Sequence, residues 1–352
     1  MNQIKSKSFL ETAAVPFFSI LFGFILGAIV MLAFGYNPLA AYEALFVGVF
    51  TNRYFFGEAL VQATVLTFTG LAFAVASRAG FFNIGVAGQF LFGWLASVTF
   101  ALAFPSIPRI LMVPLVLGVG MIAGSFYAGI AGFLRAYFGT SEVIVTIMLN
   151  HTMLLISNYM TNFVIGSGSK TGFVGDNTSL SVKFLSDLTN GSRLNIGFIL
   201  AIIFVILYKI FMDHTVRGFE LQAVGLNAEA ARYAGMSAKR NIIVSMLISG
   251  GVAGIGGAIQ GIGTFKYLFT QSSIPSQGFD GIAVALLGMG NPYGIFASSF
   301  LFGILKQGAT FMPSQAGVPN ELVDVVIASI IFFVGASYII RILMKKFGFS
   351  KD

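Results

Sequence analysis

Cysteine is missing from the 352 residues, which excludes disulfides, thiolate nucleophiles and zinc–cysteine sites while leaving the compartment open. Charge is almost missing as well. Asp, Glu, Lys and Arg make up 9% of the chain, against about a quarter in soluble domains, and 57% of the residues are hydrophobic. His151 cannot form a metal site on its own, and the other histidine, His214, lies in a polar loop. No cluster of carboxylates or histidines gathers at one membrane surface, which argues against a polytopic membrane enzyme. GSGSKT, from Gly166 to Thr171, departs from G-x-x-x-x-G-K-[ST] and follows no strand pattern, so the chain carries no nucleotide-binding motor of its own. The net charge of +7 does not indicate a nucleic-acid partner, because the basic residues stand singly at the ends of apolar runs.

What is present is apolar sequence in runs of membrane-spanning length. Candidate spans cover roughly 15–35, 58–77, 84–104, 110–134, 142–165, 194–212, 242–262, 279–290, 293–312 and 322–343. The expected fold is an all-α integral membrane protein of about ten transmembrane helices, including broken or half-helices, in a single domain over 1–352. The run from Val15 to Phe34 is too long for a signal-peptide core and reads as an uncleaved first span. The eighth candidate, twelve residues at about 1.5 Å each, is too short for a core of roughly 30 Å unless its flanks extend it, and otherwise is a half-helix.

An even number of spans puts both termini on one side. Lys5, Lys7, Arg78, Arg135, Lys209, Arg217, Arg232, Lys239, Arg240, Arg341, Lys345, Lys346 and Lys351 fall on that side, against Arg53, Arg109, Lys170, Lys183, Arg193 and Lys266 on the other. The positive-inside rule then makes both termini cytoplasmic, with loop 213–240 inside and loop 166–193 outside. Loop 213–240 is the only long polar segment on the inner side. Within it Asn227 reads as an N-cap, Ala228 to Ala234 as a short helix and Gly235 as its stop, a knob offered to a soluble partner.

Polar residues inside apolar sequence mark the candidate pathway. RAGFFNIGVAGQ, Arg78 to Gln89, gathers three glycines with Asn83 and Gln89, either as a broken backbone lining a cavity or as an ordinary turn capped by Asn83. Asn150, His151 and Asn158 fall on one side of a helix, facing a pathway or bonding to neighbouring helices. Lys306 can pair with Asp280 or Asp324, or snorkel outward. Gly250, Gly254, Gly257 and Gly261 form a face for close helix packing. A faint repeat relates Thr69–Gly93 to Asp280–Gly303, each with a Gly-apolar-Ala opening and a terminal FLFG.

AVGLNAEAARYAGMSAKRNI (Ala223 to Ile242), RAGFFNIGVAGQ and GFDGIAVALLGMGNP (Gly278 to Pro292) resemble the permease subunits of ATP-binding cassette (ABC) importers of the branched-chain amino acid and ribose class, most of all the nucleoside permeases. The resemblance covers nearly the whole chain. Many members carry glutamate where this chain has Ala87, which weakens any charge-based role there. It implies a permease in the bacterial inner membrane, paired with a second homologous permease, a partner ATPase that uses ATP and Mg, and a substrate-binding lipoprotein or periplasmic protein. No cofactor is expected on this chain. Asn227, Glu229, Ala230, Ala231, Arg232, Tyr233 and Gly235 would couple to the ATPase, and Asn83, Gln89, Asn150, His151 and Asn158 would border the solute path. The 39 phenylalanines and the scarcity of intramembrane charge suit a neutral nucleoside. A ribose or amino acid permease and an ion-coupled transporter are the alternatives, the latter needing more mid-membrane ionisable groups than His151.

Overall fold

The computed structural model describes residues 2–336 and is helical throughout, apart from isolated β-bridges between loops. In chain order the helices are α1 (Asn2–Ala33), α2 (Pro38–Thr51), α3 (Arg53–Arg78), α4 (Val86–Ala103), α5 (Arg109–Phe138), α6 (Glu142–Tyr159), α7 (Lys183–Leu188), α8 (Gly197–His214), α9 (Val216–Leu226), α10 (Ala228–Tyr233), α11 (Ala238–Ile259), α12 (Ser276–Leu287), α13 (Pro292–Ala309), α14 (Met312–Ala316) and α15 (Asn320–Gly335). Helices α6 and α11 each continue into a π-helical turn, Met160–Val164 and Gln260–Phe265. Among the described residues seven helices are long and apolar enough to cross a membrane: α1, α3, α4, α5, α6 with its π turn, α8, and α11 with its π turn. The span expected at 322–343 begins within α15, and its remainder lies outside the described residues, as do Arg341, Lys345, Lys346 and Lys351.

Helix α3 is the central post, with an unbroken buried run from Ala63 through Ala76. Helices α4, α8, α11, α12 and α13 pack around it, and α5 lies beyond α11 and α4. The glycine face foreseen on α11 is what brings these backbones together. A β-carbon on Gly254 would stand 2.1 Å from the Gly120 carbonyl oxygen, and one on Gly257 would stand 1.9 Å from that of Phe90. In a membrane such close approach replaces the hydrophobic drive, because lipid tails are as apolar as the helices.

The connections sort to two ends. At one lie the turn between α3 and α4, the loop 213–240 and the turn between α12 and α13, joined where the Arg78 guanidinium donates to the Gly290 carbonyl at 3.3 Å. Loop 166–193 lies at the other end, where it bonds back to the bundle. Thr171 N donates to Leu268 O, Val174 N to Lys266 O and Thr270 N to Ser169 O, all within 2.9 Å. Thus residues 166–171, which superficially imitate a phosphate loop, form a hairpin-like cover over the α11–α12 connection.

Helices α2, α7, α9 and α14 were not foreseen. α2 occupies part of the connection between the first two apolar runs; Asn37 caps it by accepting from Leu39 N at 3.0 Å, and Pro38 opens it. α9 fills the first half of loop 213–240, capped by Thr215. The eighth candidate span is a half-helix: α12 has 12 residues, about 18 Å, and its approach from Lys266 to Pro275 is non-helical. The two related segments, Thr69–Gly93 and Asp280–Gly303, both turn back at the same end, and their equivalent glycines meet, since a β-carbon on Gly70 would stand 3.5 Å from the Gly281 carbonyl oxygen.

Candidate functional site

Between Arg78 and Val86 the chain leaves helical geometry and re-enters the bundle before α4 begins. Gly278 of α12 packs on Ala87 so closely that a β-carbon there would lie 2.4 Å from the Ala87 Cα. Ala87 is fully buried, so a longer acidic side chain has no room at this point. The broken backbone must find partners inside the bundle, since an unpaired amide in hydrocarbon costs several kcal/mol.

Asn83, Gln89 and Asn150 provide them. Asn83 Nδ2 donates to Gln89 Oε1 at 2.9 Å, and Gln89 Nε2 returns a bond to Asn83 Oδ1 at 3.0 Å. Asn83 Nδ2 also donates to Ser249 Oγ at 2.8 Å, and that hydroxyl donates to the Ala72 carbonyl, tying α4 to α11 and α3. From α6, Asn150 accepts from Gly88 N at 2.8 Å and donates to Ile84 O at 3.0 Å. All three side chains are buried, and the network braces the break.

The other two pathway candidates are elsewhere. Asn158 holds Gln271 by both backbone groups, accepting from its N–H at 2.8 Å and donating to its carbonyl at 2.9 Å. His151 lies within about 20° of Asn158 around the helix, yet its side chain is exposed. The difference is one of level: the 266–271 connection covers Asn158, and nothing among the described residues covers His151.

Lys306 pairs with Asp280 and donates to Ser276 Oγ at 3.0 Å, while Asp324 stays exposed on α15. A second ion pair, between Glu58 and Arg193, escaped the sequence reading. Glu58, buried near the start of α3, accepts from Arg193 N at 2.8 Å and from Arg193 Nε at 2.9 Å. This hydrogen bonding raises the Arg193 pKa further above its ordinary value, over the opposing effect of desolvation. A carboxylate at the head of an apolar run was the available signal, but its partner lies 135 residues further along the chain.

The knob has the expected chemistry. Asn227 Oδ1 accepts from Glu229 N and Ala230 N, both at 3.0 Å. Gly235, at φ +84°, closes α10 with Met236 N donating to Ala231 O and Gly235 N to Arg232 O. Glu229, Ala230, Arg232 and Tyr233 face outward, Tyr233 at 93% exposure, with Leu226 beside them at 90%. Ala231 turns inward and is buried, so it seats the helix and is not part of the outward face. Behind the knob, a β-carbon on Gly225 would stand 2.2 Å from the Arg78 carbonyl oxygen, so α9 bears directly on the α3–α4 turn.

The described residues thus form a multi-pass helical bundle with a braced internal break and a short exposed helix at one end. The chain belongs to the family described as the branched-chain amino acid transport system permease component, whose model matches residues 55–335. It is 46% identical to the nucleoside ABC transporter permease NupB of Lactococcus lactis, over 94% of this chain and 93% of that protein. It is 44% identical to the guanosine ABC transporter permease NupP of Bacillus subtilis, over 94% and 95%. The glucose ABC transporter permease TsgB13 of Haloferax volcanii is 30% identical over 90% and 86%. No solved structure matches the chain.

Proposed function

We propose that this chain is the transmembrane permease subunit of an ABC importer that carries nucleosides across the bacterial inner membrane. The observation that carries the reading is the near end-to-end similarity to two nucleoside permeases, well above that to the glucose permease. In this reading about ten segments cross the membrane, with α12 as the half-span, and both termini and loop 213–240 face the cytoplasm. Helix α10 docks a partner ATPase through Glu229, Arg232, Tyr233 and Leu226; ATP and Mg are bound there and not by this chain. A second permease packs beside it, and a binding lipoprotein or periplasmic protein delivers the solute.

The five polar candidates divide by role. Asn83, Gln89 and Asn150 hold the broken segment and α6 in place, and Asn158 anchors the outer connection. His151 and Thr152 lie on an uncovered face of α6 at mid-helix, where lipid would make an imidazole costly, so that face borders the second permease and the path between the two. Reconstitution of the complete complex tests the function: labelled guanosine should accumulate with ATP on the cytoplasmic face and not with an ion gradient alone.

A further inference from the structure

The 12 residues of α12 reach only about 18 Å along the membrane normal, leaving the outer part of this crossing to non-helical chain. Irregular backbone at membrane depth is tolerated only where protein covers it or water reaches it. Part of it is covered, since residues 266–271 bond to loop 166–174 and to Asn158. The next part is not: Ser272 and Ser273 are exposed, as is Ser276 in the first turn of α12. One turn further, Phe279 is 43% exposed on a helix whose opposite side, Gly278, Gly281 and Val284, is buried. Lys306 stands over this surface, held by Asp280 and Ser276, with part of its side chain still accessible.

An exposed strip of three hydroxyls, an ammonium group and an aromatic ring does not belong against lipid tails. We propose that this strip, Ser272 to Phe279 with Lys306, is a solute-contact site in the outer half of the membrane, matched to a nucleoside. Phe279 offers a face on which a nucleobase stacks, and Ser276 and Lys306 offer a hydroxyl and a donor to ribose oxygens. Asp280 neutralises Lys306, so the site holds donors without the net positive charge that would select a phosphorylated nucleotide. The proposal rests on the nucleoside reading above and adds to it which groups of this chain touch the solute.

The test uses the cysteine-free chain within the complete complex in proteoliposomes. Ser273→Cys, Ser276→Cys and Phe279→Cys should react with a small water-soluble thiol reagent, and excess guanosine should slow the reactions at 276 and 279, whereas Phe302→Cys in the core should stay unreactive. Phe279→Ala should lower the maximal uptake rate about tenfold, the size of losing one base–aromatic stack, while Phe279→Tyr keeps it. Guanosine binding to the isolated binding protein is measured alongside and stays unchanged. Unreactive cysteines at all three positions, or reactive ones that guanosine does not protect together with full uptake by Phe279→Ala, would overturn the site. Absence of ATP-driven guanosine uptake by the unsubstituted complex would instead overturn the nucleoside reading on which the site rests.

Discussion

The Asn150 side-chain amide accepts from the Gly88 amide at 2.8 Å across the gap between α6 and α4, while its own NH2 group donates to the Ile84 carbonyl at 3.0 Å. One residue thereby supplies a broken backbone with the acceptor and the donor that a continuous helix would have given it. Gly88 allows the approach, since a β-carbon there would stand 2.8 Å from Asn150 Oδ1.

Asn150→Leu should therefore destabilise the chain by about 1–3 kcal/mol, the range for leaving buried polar groups unpaired. Thermal unfolding of the detergent-solubilised complex measures it, and Asn150→Gln should not restore stability, because the longer side chain cannot hold both groups at once. An unchanged melting temperature for Asn150→Leu would mean that water or another side chain takes over both bonds.

Gly225→Val tests the contact between loop 213–240 and the α3–α4 turn. A side chain at 225 meets the Arg78 carbonyl and must push α9 away from the turn. ATP hydrolysis by the assembled complex should persist while solute uptake falls, and the ratio of the two rates is the readout.

Arg232→Glu and Tyr233→Ala alter the exposed face of α10 without touching its cap, since Asn227 and Gly235 remain. Both variants should insert normally and fail to retain the ATPase on affinity purification. Ala231→Glu should fail differently, by unseating α10, because Ala231 faces the bundle.

Glu58→Gln keeps the shape but loses the charge that pairs with Arg193 and takes a backbone N–H. Arg193 is about half exposed, so water absorbs part of the loss. The expected cost is about 1–3 kcal/mol in thermal unfolding, larger than for Lys209→Gln, whose i,i+4 pair with Asp213 lies at the surface.

What the sequence discloses follows the range of the interaction. Helix α10 was legible because its cap and stop are local: Asn227 and Gly235 act on backbone within a few residues. The break at Arg78–Gln89 was legible because three glycines and two amides in an apolar chain need a cover, though not that Asn83 and Gln89 would bond each other. α2 had a local signal too, Asn37 followed by Pro38, hidden by the surrounding apolar sequence. Long-range pairings were not legible: Glu58 with Arg193, Ser169 with Thr270 and Asn158 with Gln271 join residues more than a hundred positions apart. His151 shows the limit of helical periodicity, which places a side chain on a face but does not say what covers that face at a given height.

ATP-dependent uptake by the reconstituted complex addresses the central claim most directly. Proteoliposomes holding this permease with its partner permease, ATPase and binding protein should accumulate labelled guanosine when ATP is on the ATPase side, be indifferent to ionophores, and lose transport with Arg232→Glu. Accumulation driven by a proton or sodium gradient without ATP, or by this chain alone, would contradict the account.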